Sequence, residues 1–417
     1  MTFKWFDRER SVRVADGLAV ALAASLPWST SATSIIAALW LAAYIPICDV
    51  GRLRQIALSP AGGLPLLLLA LGAAGMLWAD VALAERFEGL SSFFKLLLIP
   101  LLMSQFSRSN RGWHVLAGFI ASSVLLLIYS WAFFAWPDLP SAPHRSNGGV
   151  PVKDYISQGA VFTISIFVLA RLASDAWSSG RRYLCAAFIA LALLFLANVF
   201  YIATSRTSLV VLLILLAAFG LSQFSWKGRI GLCAGFLILV AAVWPSASYM
   251  KLRVISFFEE VQAYHPSGAA TPAGERIEFW KKSIGFIMEA PVAGHGTGSI
   301  REQFRRSAEG KTGMAAEVSV NPHNQILAVG IQLGIAGISV LLAMWIAHLF
   351  LFRAESVMAW LGMVVVIQNI VGSLFNSHLF DFTHGWIYVT LVGVAGGMAL
   401  KSHETHDRPP MGKAAPP

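Results

Sequence analysis

The chain has 417 residues, 56% hydrophobic and 13% charged, with a formal net charge of +9. Soluble domains carry about 25% charged residues, so the composition excludes a large soluble core and predicts an all-α polytopic membrane protein. Its basic residues are scattered between apolar runs, as membrane-flanking charge is, which argues against a nucleic-acid partner.

The first residues are charged and no small-residue cleavage site follows, so no cleavable signal peptide is predicted. A membrane-crossing helix needs roughly 20 apolar residues. Apolar runs place about twelve candidate spans near 14–29, 31–48, 61–79, 90–106, 113–136, 156–173, 183–203, 207–222, 229–247, 324–351, 356–375 and 384–400. The first is short and broken by Pro27. Residues 1–13 form the N-terminus, 14–247 hold nine spans, 248–322 form a long polar segment, 323–400 hold three spans and 401–417 are a tail. Loop charge orients the chain. Arg52, Arg54, Arg181, Arg182, Lys227 and Arg229 fall on the side of the charged N-terminus. Both termini are therefore expected in the cytoplasm and 248–322 outside. The polar, Pro-rich tail is expected to be disordered. Cys48, Cys185 and Cys233 lie in or beside apolar runs, far apart, and read as buried thiols without a disulfide framework.

The outer side holds few basic residues outside the long segment, namely Arg86, Lys95, Arg145, Lys153 and Arg206. Each has a bland reading, snorkelling to the interface. A cation at membrane depth costs several kcal/mol unless paired or hydrated, so the group on one face reads better as ligand binding. Within the long segment, Glu275–Glu289 has Ile277, Trp280, Ile284 and Ile287 at helical spacing, and Pro291 closes it.

Arg206 interrupts an apolar stretch as Thr204-Ser205-Arg206-Thr207-Ser208. Helices starting near Thr207 and His323 both present N-termini to the outer face, where unpaired N–H groups favour anions. Ser205 or Thr204 caps the first, and Asn321 followed by Pro322 fits the cap and first turn of the second. For the caps alone, ordinary interfacial capping is the favoured reading. Arg276 sits in Gly274-Glu275-Arg276-Ile277-Glu278-Phe279-Trp280. It reads either as a bidentate phosphate ligand or as a surface salt bridge to Glu275 or Glu278. His323, in Asn321-Pro322-His323-Asn324, is either a base toward a hydroxyl acceptor or a hydrogen-bonded interfacial histidine. His295 lies in the turn Gly294-His295-Gly296-Thr297-Gly298, where glycine permits unusual backbone angles, and ranks behind the other three. Asn376, Ser377, His378 and Asp381 line the same cavity or form a solvated loop. His378, Asp381 and His384 lack the spacing of a helical metal pair. No phosphate-binding Gly-rich loop with Lys-Ser/Thr and no Gly-x-Ser-x-Gly motif is present, which argues against ATP hydrolysis and serine hydrolase chemistry.

Ser205-Arg206-Thr207, Arg276 with Phe279-Trp280, Pro291 through Gly298, and Pro322-His323-Asn324 resemble the O-antigen ligase family, within the O-antigen ligase/polymerase superfamily. The resemblance covers roughly 204–337. It implies a membrane-embedded glycosyltransferase of GT-C-like architecture in the bacterial inner membrane, with a periplasmic active site and no cofactor, nucleotide sugar or required metal. The implied donor is a glycan on undecaprenyl pyrophosphate, and the implied acceptor is lipid A–core. Carried over by motif, Arg206 and Arg276 bind pyrophosphate and His323 positions or deprotonates the acceptor. The substrate-binding set, for pyrophosphate or glycan, is Arg206, Arg276, Arg86, Lys95, His295 and Asn324. An O-antigen polymerase or an O-oligosaccharyltransferase is the nearest alternative. A transporter fits less well, because the polar residues cluster toward the outer end instead of at mid-membrane breaks.

Overall fold

The computed structural model describes residues 8–139, 148–265 and 271–406, which are all-helical apart from turns and loops. Lys4, Asp7 and Arg145 lie outside the described residues. The helices are α1 (Arg8–Ser25), α2 (Thr30–Tyr44), α3 (Val50–Leu58), α4 (Pro60–Gly75), α5 (Leu83–Phe94), α6 (Leu98–Phe106), α7 (Gly112–Ala135), α8 (Tyr155–Ser178) and α9 (Arg182–Tyr201). They continue as α10 (Arg206–Gln223), α11 (Trp226–Val243), α12 (Ser248–Gln262), α13 (Pro272–Glu289), α14 (Ile300–Ala308), α15 (Gln325–Leu351), α16 (Val357–Gly372) and α17 (Phe382–His406).

Among the described residues, nine helices are long and apolar enough to cross a membrane, and the bent pair α3–α4 makes a tenth. The remaining two of the twelve expected spans are α16, an apolar helix of 16 residues, and α1. α1 starts earlier than expected and takes Arg8, Glu9, Arg10 and Arg13 into its first turns. It stops before Pro27, whose ring disfavours helix in the preceding residue. α3 and α4 meet at 82°. Ser59 caps α4 by accepting from Gly62 N at 3.3 Å, and Pro60 occupies the first turn, where a missing N–H costs nothing.

α8 buries nearly every face of its first four turns, and α17 is largely enclosed, so these two form the centre of the bundle. α11 has no buried residue, which leaves Cys233 exposed, contrary to the expected buried thiol. An apolar helix with an open perimeter is what lipid contact requires. α17 packs on α6 through Gly393, Gly396 and Gly397. A Cβ on Gly397 would lie 2.7 Å from Met103 O and 2.8 Å from Phe106 Cβ. Small residues let membrane helices approach at backbone distance. Gly397→Leu is therefore expected to destabilise the protein by about 1–3 kcal/mol, read as a lower thermal midpoint in detergent. A midpoint equal to wild type would show that this contact is not tight.

The long helix expected over 324–351 is broken instead. Gly334 has φ 59° inside α15. The freed backbone groups are taken up by the Pro291–Gly298 turn: Ile335 N donates to Pro291 O at 2.8 Å, His295 N to Ile331 O at 2.8 Å and Gly296 N to Gln332 O at 2.9 Å. Non-helical backbone at membrane depth survives only where protein satisfies it. α12, α13 and α14 lie in the 248–322 segment, and α13 starts three residues before the expected Glu275. α17 continues past 400 to His406, so the expected tail is helical over its first six residues. Lys401 Nζ holds that end by donating to Arg108 O at 3.3 Å.

Candidate functional site

Three helix starts converge at the end of the bundle that carries the polar segment. Ser205 caps α10 by accepting from Ser208 N at 2.9 Å, which places Arg206 in the first turn. Arg206 meets Glu260 of α12: Nη2 donates to Oε1 at 2.7 Å and Nη1 to Oε2 at 3.3 Å. Nη2 also reaches Ser256 Oγ at 2.9 Å, and the guanidinium lies 5.3 Å from the Phe257 ring centroid. Glu260 Oε2 accepts in addition from Ala273 N at 2.9 Å, in the first turn of α13. A carboxylate is favoured at a helix N-terminus, so Glu260 ties α10, α12 and α13 together. The Arg206 guanidinium holds its carboxyl below the usual carboxylate range.

Arg276 is one turn further along α13 and half-buried. The salt bridge open in the sequence does not form. Glu278 accepts from Tyr264 Oη at 2.8 Å, and Arg276 has no hydrogen bond or ion pair among the described residues. Burial and the neighbouring Arg206 lower its pKa, though a guanidinium stays charged. A partly desolvated cation beside a second cation, with no direct bond to a carboxylate among the described residues, is a poor structural element and a good anion ligand.

His323 adjoins this charge. Its φ is 53°, the one positive value at a non-glycine position among the described residues. That left-handed backbone costs of order 1–3 kcal/mol and is held by His323 N donating to Asn321 Oδ1 at 2.9 Å. A residue in this conformation cannot start a helix, so the cap of α15 shifts from the expected Asn321 to Asn324. Asn324 Oδ1 accepts from Ile326 N at 2.9 Å and Leu327 N at 3.2 Å. Asn324 was expected to touch substrate; its side chain is occupied as this cap.

The His323 ring stacks on Phe279 at 6.1 Å and 17°. Its Nδ1 is 3.1 Å from Asn376 Oδ1, which also accepts from Ser377 N at 2.9 Å. A backbone N–H can only donate, so the atom facing both is the amide oxygen, and Nδ1 carries the proton. Nε2 is then the unprotonated nitrogen, with no partner among the described residues. Burial and the Arg276 cation push the imidazole pKa below its ordinary 6.5. The ring is therefore neutral at pH 7, tautomerically fixed, and has an open lone pair.

The other expected site residues are engaged in structural contacts. Arg86 donates from Nη1 to Met76 O at 2.8 Å and from Nε to Val81 O at 3.0 Å, closing the turn after α4. Lys95 is buried and its Nζ bonds Phe380 O at 3.0 Å and Asp381 O at 2.9 Å. His295 Nε2 is 2.8 Å from Phe286 O. Its turn has Gly294, Gly296 and Gly298 at φ 66°, 90° and 91°, and a Cβ on Gly296 would strike the Ala79 backbone. Thr297 Oγ1 donates to Gly72 O at 2.6 Å, so the turn clamps α4 to α15. His384 Nδ1 lies 2.8 Å from Asp381 Oδ1 and stacks on His378 at 3.9 Å. Glu260 had no signal in the sequence, because its role depends on contacts with Arg206 of the distant α10 and with the first turn of α13. Asn376 was visible only as one polar residue in a loop.

The O-antigen ligase family model matches residues 190–342. That stretch contains Arg206, Arg276, His295, His323 and Asn324 and bears out the resemblance drawn from the motifs. No curated protein matches the chain. The match, with the all-helical fold, supports an O-antigen ligase-family protein of the ligase/polymerase superfamily. The family match suggests a glycosyltransferase-like enzyme and implies lipid-linked glycan substrates in general.

Proposed function

We propose that this O-antigen ligase-family protein moves a glycan from undecaprenyl pyrophosphate onto a sugar hydroxyl of lipid A–core, at the periplasmic face of the bacterial inner membrane. The observation that carries this reading is the pairing of Arg276, a half-buried cation with no hydrogen bond or ion pair among the described residues, with the open Nε2 of a neutral His323. The acceptor hydroxyl gives its proton to Nε2 as its oxygen attacks the anomeric carbon. The bond from that carbon to the pyrophosphate oxygen breaks, with inversion and oxocarbenium character at the sugar. Negative charge grows on the departing phosphate, and guanidinium donors placed there in advance stabilise it more than they stabilise the bound donor. Holding both lipids in one site supplies proximity. No step calls for a nucleotide sugar or a metal ion.

Arg276 takes the larger share. Arg206 enters with its fork already on Glu260, so its charge is partly neutralised. Removing Arg206 leaves Glu260 as an uncompensated carboxylate near Arg276. Arg206→Ala is therefore expected to raise the KM for donor, and adding Glu260→Gln to recover part of the loss. The recovery should fall within the about 0.5–3 kcal/mol coupling of residues in one network. Additive effects of the two substitutions would show that Glu260 does not act through this charge balance.

The reaction itself is tested with purified protein in detergent, lipid-linked glycan and lipid A–core, without nucleotides. Joined glycan–lipid A–core is the expected product. Longer lipid-linked glycan formed without lipid A–core would instead identify a polymerase.

A further inference from the structure

A cleft of about 470 Å³, open to solvent, lies next to the His323 turn, and none of Arg206, Glu260, Arg276 and His323 lines it. Glu85 and Glu88 of α5 face it together with Arg301 of α14, Asn321, Ser377 and Asp381. Ser377 Oγ donates to Asn321 Oδ1 at 2.7 Å, and the same oxygen accepts the His323 N–H. One wall of the cleft is therefore the turn that holds the proposed base. The side chains of Glu85 and Glu88 have no ion pair or hydrogen bond among the described residues. Asp381 bonds His384 through Oδ1 and keeps 38% of its side chain exposed. Behind the lining residues Gly298 and Ile300, Ser299 Oγ is buried with no hydrogen-bond partner among the described residues, though Ser299 does not itself line the cleft.

The charge of this cleft is opposite to that around Arg276. Three carboxylates and one guanidinium line it, with Lys95 and Lys153 acting on one of the carboxylates, Asp381, so the free carboxylates Glu85 and Glu88 disfavour a phosphate here. Carboxylates accept from hydroxyls in short, charge-assisted bonds, about twice as strong as neutral ones. Ile300, Val320 and Phe380 add apolar surface for the C–H face of a ring. The volume lies within the roughly 300–1,000 Å³ of small-molecule sites.

We infer that the cleft is the acceptor subsite and takes a neutral, hydroxyl-rich sugar ring, with Glu85 and Glu88 as its hydrogen-bond acceptors. The inference rests on the glycan-transfer reading for the word acceptor, and on the cleft alone for the word sugar. It makes the protein selective against phosphate on the sugar that receives the glycan.

Saturation-transfer NMR on the full-length protein in detergent tests this without turnover. Three probes are compared: delipidated, dephosphorylated core oligosaccharide, the same oligosaccharide carrying phosphate, and delipidated O-glycan. The neutral core oligosaccharide is expected to bind, the phosphorylated form at least about tenfold more weakly, a difference of about 1.4 kcal/mol. Glu85→Gln with Glu88→Gln should weaken neutral binding by a similar factor while leaving binding of the lipid-linked donor unchanged. Thermal midpoints of the double variant and of Glu88→Gln alone, at an exposed position, check that the fold is kept. Equal or tighter binding of the phosphorylated form, wild-type binding by the folded double variant, or binding of the O-glycan alone would each overturn the proposal. If the neutral oligosaccharide binds and the variant loses it, the cleft assignment stands even should transfer fail, and only the reaction proposed above falls.

Discussion

Arg276→Ala is expected to lower glycan transfer about 10²–10³-fold at saturating donor, the loss typical of removing one preorganised donor to a developing oxyanion. The fold should tolerate the change, because Arg276 has no hydrogen bond or ion pair among the described residues. Removing it also relieves repulsion from Arg206. An unchanged thermal midpoint with lost turnover is the signature of a residue kept for its substrate. Arg276→Lys should recover only part of the rate, since an ammonium is a point charge and cannot fork onto two phosphate oxygens. Near-wild-type turnover by a stably inserted Arg276→Ala protein would remove the pyrophosphate role.

His323→Ala is expected to cost about 10²–10⁴-fold in turnover, the range for a positioned general base, with little change in the KM for donor. The wild-type rate should also carry an acid limb set by His323. Burial and the Arg276 cation lower the imidazole pKa, so the neutral, reactive form predominates at pH 7. It is lost only as pH falls through a value below 6.5. Arg276→Gln removes one of the two causes, and the limb in its residual activity should move up toward 6.5. A limb that stays fixed in that variant would assign the titration to another group. Turnover by His323→Ala equal to wild type would exclude the ring as base.

The helical, membrane-crossing character of the chain was legible because long apolar runs allow little else. Helix breaks were less so. The bend between α3 and α4 and the left-handed Gly334 in α15 are stabilised by contacts with the Pro291–Gly298 turn and by a serine cap. Local hydropathy carries no sign of such partners. At the candidate site, Arg206 is legible as a cation interrupting an apolar stretch, and Arg276 and His323 by their places in the polar segment and its motifs. Arg86 and Lys95 stand out as basic residues on the outer side and His295 by its glycine turn, and their polar atoms bond backbone carbonyls. A buried cation satisfied by carbonyls and one held free for an anion look alike in one dimension. Glu260 was missed for the opposite reason: an acidic residue in a polar segment is unremarkable until two other helices meet it.

The pairing of a free Arg276 with an open His323 nitrogen is tested most directly by counting released lipid pyrophosphate. Purified protein, donor and lipid A–core are mixed without nucleotides, and undecaprenyl pyrophosphate and joined glycan are measured together. One lipid pyrophosphate should appear for each glycan joined, dependent on acceptor and lost in Arg276→Ala. Joined product without pyrophosphate release, or release by Arg276→Ala at the wild-type rate, would contradict the account.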